Sequence, residues 1–298
     1  MTDLPVIIEV AVNGGTTRAR NPHVPKSPAE IAADGALCLR AGASIIHSHI
    51  EDLDLRGDAA AARYGEGFRP LLREFPEAIC YPTVINAEGW EERQGHLRWL
   101  VKEKLAGMGA FDPGSMNYGL GQQDGLPAQD FPYVNSYSDM HGVFARFSEF
   151  GLGASMGIYD GSYARAALAW HKAGKLPKGS FVKFYFGGTY DFLTGAQGAV
   201  SFGLPPTRKA LDAYLEMFEG SNLPWAVAVL GGDVSESGLT RLALERGGHV
   251  RVGLEDFCGE RAPANIELVQ AVVALCRHVG RPIATPEQAR AILGFPGR

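Results

Sequence analysis

His47 and His49 stand two residues apart near the end of the apolar run 43–50. Alternation along a β-strand puts both imidazoles on one face, and two neutral imidazoles on one face suit a single divalent metal ion. The same spacing also suits a hydrogen-bonded pair of core histidines. A second segment, Gly247-Gly248-His249-Val250-Arg251-Val252-Gly253-Leu254-Glu255-Asp256, supplies carboxylates. Val250, Val252 and Leu254 share one parity and suit a helix layer, which turns Arg251, Gly253 and Glu255 toward a barrel interior. Glu255 then completes a His₂Glu set of the kind that keeps open metal positions for catalysis. Asp256 follows at the mouth, as a general base or a group that orients one. Arg251 lies deeper and needs a partner, for which Glu9 is the candidate, inward in the series Ile7, Glu9, Ala11, Asn13. That pair is either purely structural, or it also tunes Asp256 or holds a substrate carboxylate.

The elements that must position these groups repeat along the chain. Short apolar runs at 6–12, 43–50, 78–85, 105–111, 151–158, 181–186, 225–230 and 249–254 alternate with amphipathic stretches at 29–40, 68–74, 91–104, 140–150, 163–173, 208–218, 236–245 and 265–279. Eight strands each followed by a helix is an α/β fold, the (β/α)₈ TIM barrel, expected here as one domain over residues 1–298. Ser27-Pro28 and Thr285-Pro286-Glu287 carry helix-start chemistry. Reactive groups of such a barrel come from the C-terminal strand ends, which adds Thr83, Lys183 and Tyr185, with Asn13, Asp112, Ser115 and Asn117 as substrate-binding candidates. Gly187-Gly188 and Gly231-Gly232-Asp233 are turns that admit a phosphate or thioester chain near a helix N-terminus. The irregular stretch 114–136 is expected to be a lid or a subunit contact.

The composition narrows the partners. With 28 Lys+Arg against 33 Asp+Glu, the net charge of −5 argues against a nucleic-acid or anionic-membrane surface. No apolar run approaches the ~18 residues of a membrane span, and the N-terminus lacks the features of a secretory signal, so a cytoplasmic location is expected. Cys38, Cys80, Cys258 and Cys276 show no CxxC spacing and read as reduced thiols, Cys258 being the one near the candidate site. His96, His171, His249 and His278 read as structural or surface residues.

On these residues the chain resembles the β-keto acid cleavage enzymes. The likeness rests on Thr16-Thr17-Arg18, on Ile46-His47-Ser48-His49, on Gly114-Ser115-Met116-Asn117-Tyr118-Gly119, on the 247–256 segment and on Gly280-Arg281-Pro282 with Ala284-Thr285-Pro286-Glu287-Gln288-Ala289. It implies a barrel holding one Zn²⁺ through His47, His49 and Glu255, and the exchange of a β-keto acid and acetyl-CoA for acetoacetate and a new acyl-CoA. It further implies Asp256, oriented by Arg251, as the base, Thr83 as a hydroxyl of the proton-handling or oxyanion set, and a homo-oligomer, a dimer or tetramer. The sequence departs from the relatives that cleave 3-keto-5-aminohexanoate. Gly15 stands where they carry a glutamate suited to an ammonium, residues 154–159 lack their acids, and Ala110 replaces a threonine. A substrate with a neutral or differently charged tail is expected.

Three other readings compete. A zinc amidohydrolase places its HxH pair on the first strand and adds histidines after the fifth and sixth. A Schiff-base aldolase would use Lys183, inward by parity in the sixth strand, with its pKa lowered by desolvation. A non-catalytic barrel would serve as a binding scaffold.

Overall fold

A computed structural model of the chain describes residues 3–124, 126–198 and 202–295. Its strands, in chain order, are β1 (Ile8–Ala11), β2 (Ile45–Ser48), β3 (Ile79–Pro82), β4 (Met108–Ala110), β5 (Met116–Leu120), β6 (Gln129–Tyr133), β7 (Gly153–Ile158), β8 (Phe181–Gly187), β9 (Trp225–Leu230) and β10 (His249–Val252). Eight of them pair in parallel in the order β3-β2-β1-β10-β9-β8-β7-β4, and β5 pairs with β6 alone. The two ends of the parallel sheet meet where the Gly107 N–H donates to the Cys80 carbonyl at 3.0 Å. The result is the expected (β/α)₈ barrel, with β1 and β10 adjacent in the register Glu9↔Arg251.

The helices are α1 (Pro28–Ala41), α2 (Gly57–Glu74), α3 (Gly89–Arg93), α4 (Leu97–Lys102), α5 (Tyr137–Phe150), α6 (Gly161–Lys172), α7 (Arg208–Met217), α8 (Leu239–Glu245), α9 (Asn265–Val279) and α10 (Pro286–Leu293). Both anticipated caps form: Ser27 and Glu30 make a capping box on α1, and Thr285 and Gln288 make one on α10. No helix among the described residues is long and apolar enough to cross a membrane.

Four elements differ from the sequence expectation, each for a local reason. Helix α2 begins at Gly57 rather than Phe68, because the alanine run 59–62 is strongly helix-forming without showing an apolar stripe. The stretch 91–104 breaks into α3 and α4 around Gln94, whose side-chain amide donates to the Ala110 carbonyl at 2.8 Å. The region 114–136 contains the antiparallel hairpin β5–β6. Helix α10 is additional to the eight and closes the barrel floor, where Ala289 and Leu293 pack with Ile7, Ile45, Ile79, Met108 and Phe181.

Side-chain parity divides the barrel. Val6, Ile8, Val10 and Val12 join the layer between sheet and helices, whereas Ile7 belongs to the interior floor. Above that floor the interior turns polar, with Glu9, Lys183 and Arg251 all buried.

Buried Asn265 at the start of α9 ties the mouth together: its carbonyl accepts from the Leu254 N–H at 2.9 Å, and its amide donates to the Val12 carbonyl at 2.8 Å and the Asp34 carboxylate at 2.7 Å. Burial pushes the Asp34 carboxyl up from 3.8 to about 6, against the pull of the Asn265 amide. An acid whose pKa is raised by folding favours the fold while protonated, and this contribution disappears as the pH climbs from the unfolded value toward the folded one. Asp34→Asn keeps the acceptor for Asn265 and removes the charge. It is expected to match the native protein at pH 4 and to exceed its stability at pH 8 by on the order of 1–2 kcal/mol, the shift being discounted for partial exposure. Urea denaturation at the two pH values checks this.

Candidate metal centre and active site

His47 and His49 sit at the mouth end of β2, and Glu255 follows β10 two strands away around the barrel. The His47 Nε2 lies 3.2 Å from Glu255 Oε2, and the His49 Nε2 lies 3.5 Å from Glu255 Oε1. One ligand atom from each residue can be chosen so that all lie within 4.8 Å of one another, a group able to hold a metal ion. The His47 Nδ1 contacts the Tyr81 carbonyl at 3.2 Å. A carbonyl only accepts, so Nδ1 carries the proton and Nε2 presents a lone pair to the Glu255 carboxylate. Two acceptors facing each other call for a cation between them. His49 Nε2 and Glu255 Oε2 are, moreover, buried and without a hydrogen-bond partner among the described residues. The donor set therefore fits a divalent metal. Burial lowers the His47 pKa to about 4, which keeps the imidazole in its neutral ligand form. Burial works against the charge on Glu255, but His47, His49 and Arg251 outweigh it and hold the carboxyl well below its ordinary range.

The chain places Glu255 with glycines. Gly253 adopts φ +139°, and a Cβ there would come within 2.1 Å of the Ala11 carbonyl oxygen. At Gly14, with φ +50°, a Cβ would lie 2.3 Å from the Glu255 Cγ. The β1 turn thus presses on the Glu255 carboxylate, and only a residue without a side chain permits it.

Beneath the cluster, Arg251 orders the other acids. Its Nε donates to Asp256 Oδ2 at 2.8 Å and one terminal nitrogen donates to Oδ1 at 3.1 Å, a bidentate pair. The other terminal nitrogen donates to Glu9 Oε1 at 2.8 Å and to the Tyr81 hydroxyl at 3.0 Å. Lys183 donates to Tyr81 Oη at 3.1 Å, to Glu9 Oε1 at 3.3 Å and to Ser155 Oγ. Burial opposes the Glu9 charge, yet Lys183 and Arg251 hold its carboxyl at about 2. Burial pushes Asp256 up to about 6 against the stabilising Arg251.

The remaining sequence candidates divide. Thr83 and Asp112 line the same cleft as His47, Lys183, Arg251 and Glu255, a space of about 340 Å³. Asp112 accepts from the Gly157 N–H at 2.6 Å and the Tyr133 hydroxyl at 2.9 Å. Asn13 is nearly inaccessible and wholly committed to backbone: its amide donates to the Pro25 and His49 carbonyls, and its carbonyl accepts from the Gly14 and His49 N–H groups. It anchors His49. Ser115 exchanges hydrogen bonds with the Asn135 backbone, and Asn117 is exposed on the β5–β6 hairpin opposite Pro132. Ser115 and Asn117 are not among the residues that line the cleft of His47 and Glu255. Cys258 is buried against the Asp191 carbonyl. Tyr81 is the residue that sequence reasoning missed. Its ring stacks on His47 with centroids 4.4 Å apart while its hydroxyl joins Glu9, Arg251 and Lys183. Its parity with Thr83 is the one signal that could have found it.

A family model for beta-keto acid cleavage enzymes matches residues 5–295. The chain belongs to this family. It is therefore an enzyme that cleaves carbon–carbon bonds. It is 30% identical over 295 residues to the 3-keto-5-aminohexanoate cleavage enzyme of Fusobacterium nucleatum subsp. nucleatum, covering 97% of this chain and 98% of that one. It is 27% identical over 299 residues to the 3-oxoadipate:acetyl-CoA acetyltransferase of Cupriavidus necator, covering 98% and 95%. In fold it is similar to the solved ternary complex of ObcA with a C4-CoA adduct and oxalate, with a TM-score of 0.65 at 16% identity over 93% of this chain and 68% of that one.

Glu9 is the sole carboxylate in contact with both buried cations Lys183 and Arg251 among the described residues. Glu9→Gln is expected to destabilise the protein by about 3–5 kcal/mol, since it leaves two buried cations short of counter-charge. Adding Lys183→Met should recover part of that loss. A double-mutant cycle in chemical denaturation measures the coupling.

Proposed function

We propose that this enzyme exchanges a β-keto acid and acetyl-CoA for acetoacetate and a new acyl-CoA, with zinc held by His47, His49 and Glu255 and with Asp256 as the base. The observation that carries the reading is the Asp256 carboxylate, gripped at both oxygens by an Arg251 that lines the same cleft as His47 and Glu255. Zinc, when bound, supplies Lewis acidity toward the keto oxygen and carboxylate of the substrate. Asp256 then removes a proton from the carbon between those two groups. With its carboxyl at about 6, it is ionised at neutral pH yet more basic than an ordinary aspartate. Arg251 keeps the carboxylate oriented and balances its charge. The resulting carbon nucleophile attacks the acetyl thioester, forming a carbon–carbon bond and releasing the CoA thiolate. That thiolate adds to the former ketone carbon, the bond between this carbon and the one that attacked the thioester breaks, the proton taken by Asp256 returns to the departing carbon, and acetoacetate leaves with the new acyl-CoA left behind. Thr83 lines the cleft as the hydroxyl that assists proton transfer, and Lys183 adds positive potential at its floor.

The substrate tail follows from what the mouth lacks. Gly14 abuts Glu255, and a Cβ on Gly15 would lie 2.9 Å from Leu193, so this turn offers no carboxylate to an ammonium. Asp112 has both oxygens engaged by Gly157 and Tyr133. A tail that is neutral or differently charged is the better match. The Schiff-base reading is disfavoured because Lys183 is ion-paired with Glu9 and bonded to Tyr81 and Ser155. The assembly proposed is a homo-oligomer, for which the exposed Leu126, Phe131, Val134 and Tyr137 on and beside the hairpin offer apolar surface.

A coupled assay of CoA-ester formation across a panel of β-keto acids tests the reading, and better turnover of 3-keto-5-aminohexanoate than of uncharged or anionic acids would refute the tail assignment. His47→Ala is expected to lose most bound zinc by elemental analysis, with activity falling at least about 100-fold. Asp256→Asn is expected to keep the zinc and lose activity to a similar degree. In the native enzyme kcat/KM should fall on acidification at or below about 6, as the base becomes protonated.

A further inference from the structure

Side chains alternate along β8. Phe184 and Phe186 face the helix layer, where both meet Tyr214, while Phe181 packs in the floor and Lys183 and Tyr185 follow above it on the inner face. Tyr185 is 4% exposed and lines the cleft of His47, Arg251 and Glu255. Its ring stacks on that of Tyr159 with centroids 4.8 Å apart, and the Arg251 guanidinium lies 5.5 Å from its centre. A phenyl ring would make both contacts as well. The Tyr185 hydroxyl has no hydrogen bond among the described residues, and it is not one of the sealed, unpartnered tyrosine hydroxyls, which are those of Tyr64, Tyr163 and Tyr214. It therefore opens on the cleft, near enough to Arg251, Asp256 and Glu255 to feel their charges. A tyrosine hydroxyl in a protein interior normally has a partner, so this O–H is a donor held ready for one.

The stronger donors of the cleft are already spent. The three N–H groups of Lys183 have Glu9, Tyr81 and Ser155 as acceptors. Arg251 directs its three nitrogens at Glu9, Tyr81, Asp256 and Glu255. The Tyr81 hydroxyl donates to Glu9, and the His47 Nδ1 to the Tyr81 carbonyl. Thr83 and Tyr185 are the cleft-lining hydroxyls without a hydrogen bond among the described residues, and Thr83 is assigned to proton transfer in the proposed reaction. That reaction also builds negative charge on a second substrate. When the carbon nucleophile attacks, the π electrons of the thioester carbonyl move onto its oxygen. The keto oxygen and carboxylate of the β-keto acid belong to the metal cluster in that scheme, which leaves the thioester oxygen without a partner.

We propose that Tyr185 is a catalytic residue of this reaction, its hydroxyl donating a hydrogen bond to the thioester carbonyl oxygen as that oxygen becomes negative. The inference rests on the proposed use of acetyl-CoA. As the carbon–carbon bond forms, the carbonyl π pair settles on oxygen, and the Tyr185 O–H holds it without giving up its proton. When the pair returns, the carbon–sulfur bond breaks and the thiolate leaves. The bond to Tyr185 is strongest where the charge is greatest, so its contribution falls on kcat rather than on ground-state binding.

Tyr185→Phe keeps the ring contacts and removes the hydroxyl. With acetyl-CoA and 3-oxohexanoate, or the acid of the panel that is turned over fastest, it is expected to lower kcat about 100-fold, the effect of losing one oxyanion donor. KM for acetyl-CoA, zinc content and melting temperature should match those of the native protein. The decisive readout is deuterium exchange at C2 of the same acid, followed by NMR in D₂O without acetyl-CoA. Exchange above the uncatalysed background needs the base but no thioester, so Tyr185→Phe should exchange at the native rate while Asp256→Asn stays at background. Exchange lost together with kcat in Tyr185→Phe would place the hydroxyl in proton abstraction or in the integrity of the site, and would overturn the proposal. An unchanged kcat, or a change confined to KM, would overturn it too. Failure of the native enzyme to make acyl-CoA from any acid of the panel refutes the reading beneath and this inference with it, a result distinguished by appearing before any variant is made.

Discussion

Arg251 is a permanently charged group inside a barrel, and a guanidinium there is tolerable only if its donors find acceptors. Asp256 takes two of them, and Glu9 and Tyr81 take more. Because Glu9 lies beside Arg251 in the β1–β10 register, the first and last strands of the barrel are joined by charge as well as by backbone bonds. The same guanidinium sets the direction of Asp256 and lies 3.2 Å from Glu255. The seam of the barrel and the poise of its carboxylates are one arrangement.

The charges around Arg251 are also balanced for occupants. Arg251 and Lys183 contribute two positive charges, and Glu9, Asp256 and Glu255 contribute three negative ones. A divalent metal and one substrate carboxylate would bring these five groups to neutrality. Neutrality matters in a low-dielectric interior, where an unbalanced charge costs several kcal/mol. The slight excess of acid over base in the whole chain therefore says nothing against an anionic substrate, since the field in the cleft is set by these few residues.

Much of this was legible from parity. The alternation in 247–256 turned Arg251 and Glu255 inward, the series Ile7, Glu9, Ala11 did the same for Glu9, and the observed register joined them as expected. Tyr81 escaped because Ile79-Cys80-Tyr81-Pro82 is uniformly apolar or aromatic, and such a run does not announce a hydroxyl with three polar neighbours. Asn13 was legible as inward but not in its role, because whether an amide meets substrate or backbone depends on how the next loop folds over it. The hairpin β5–β6 was hidden by its glycines and prolines, whereas the start of α10 was announced by Thr285-Pro286-Glu287 although it lies beyond the eighth unit.

The metal-binding set has a temporal side. His47 and His49 come from the second strand, whereas Glu255 follows the last, and Glu9 must wait for Arg251 to gain one of its counter-charges. During synthesis the histidines emerge long before their carboxylate, so a growing chain carries an incomplete ligand set until nearly all of it has left the ribosome. Closing contacts of such large sequence separation form late in folding. A centre built on these three residues would thus be complete only in a chain that has reached Glu255.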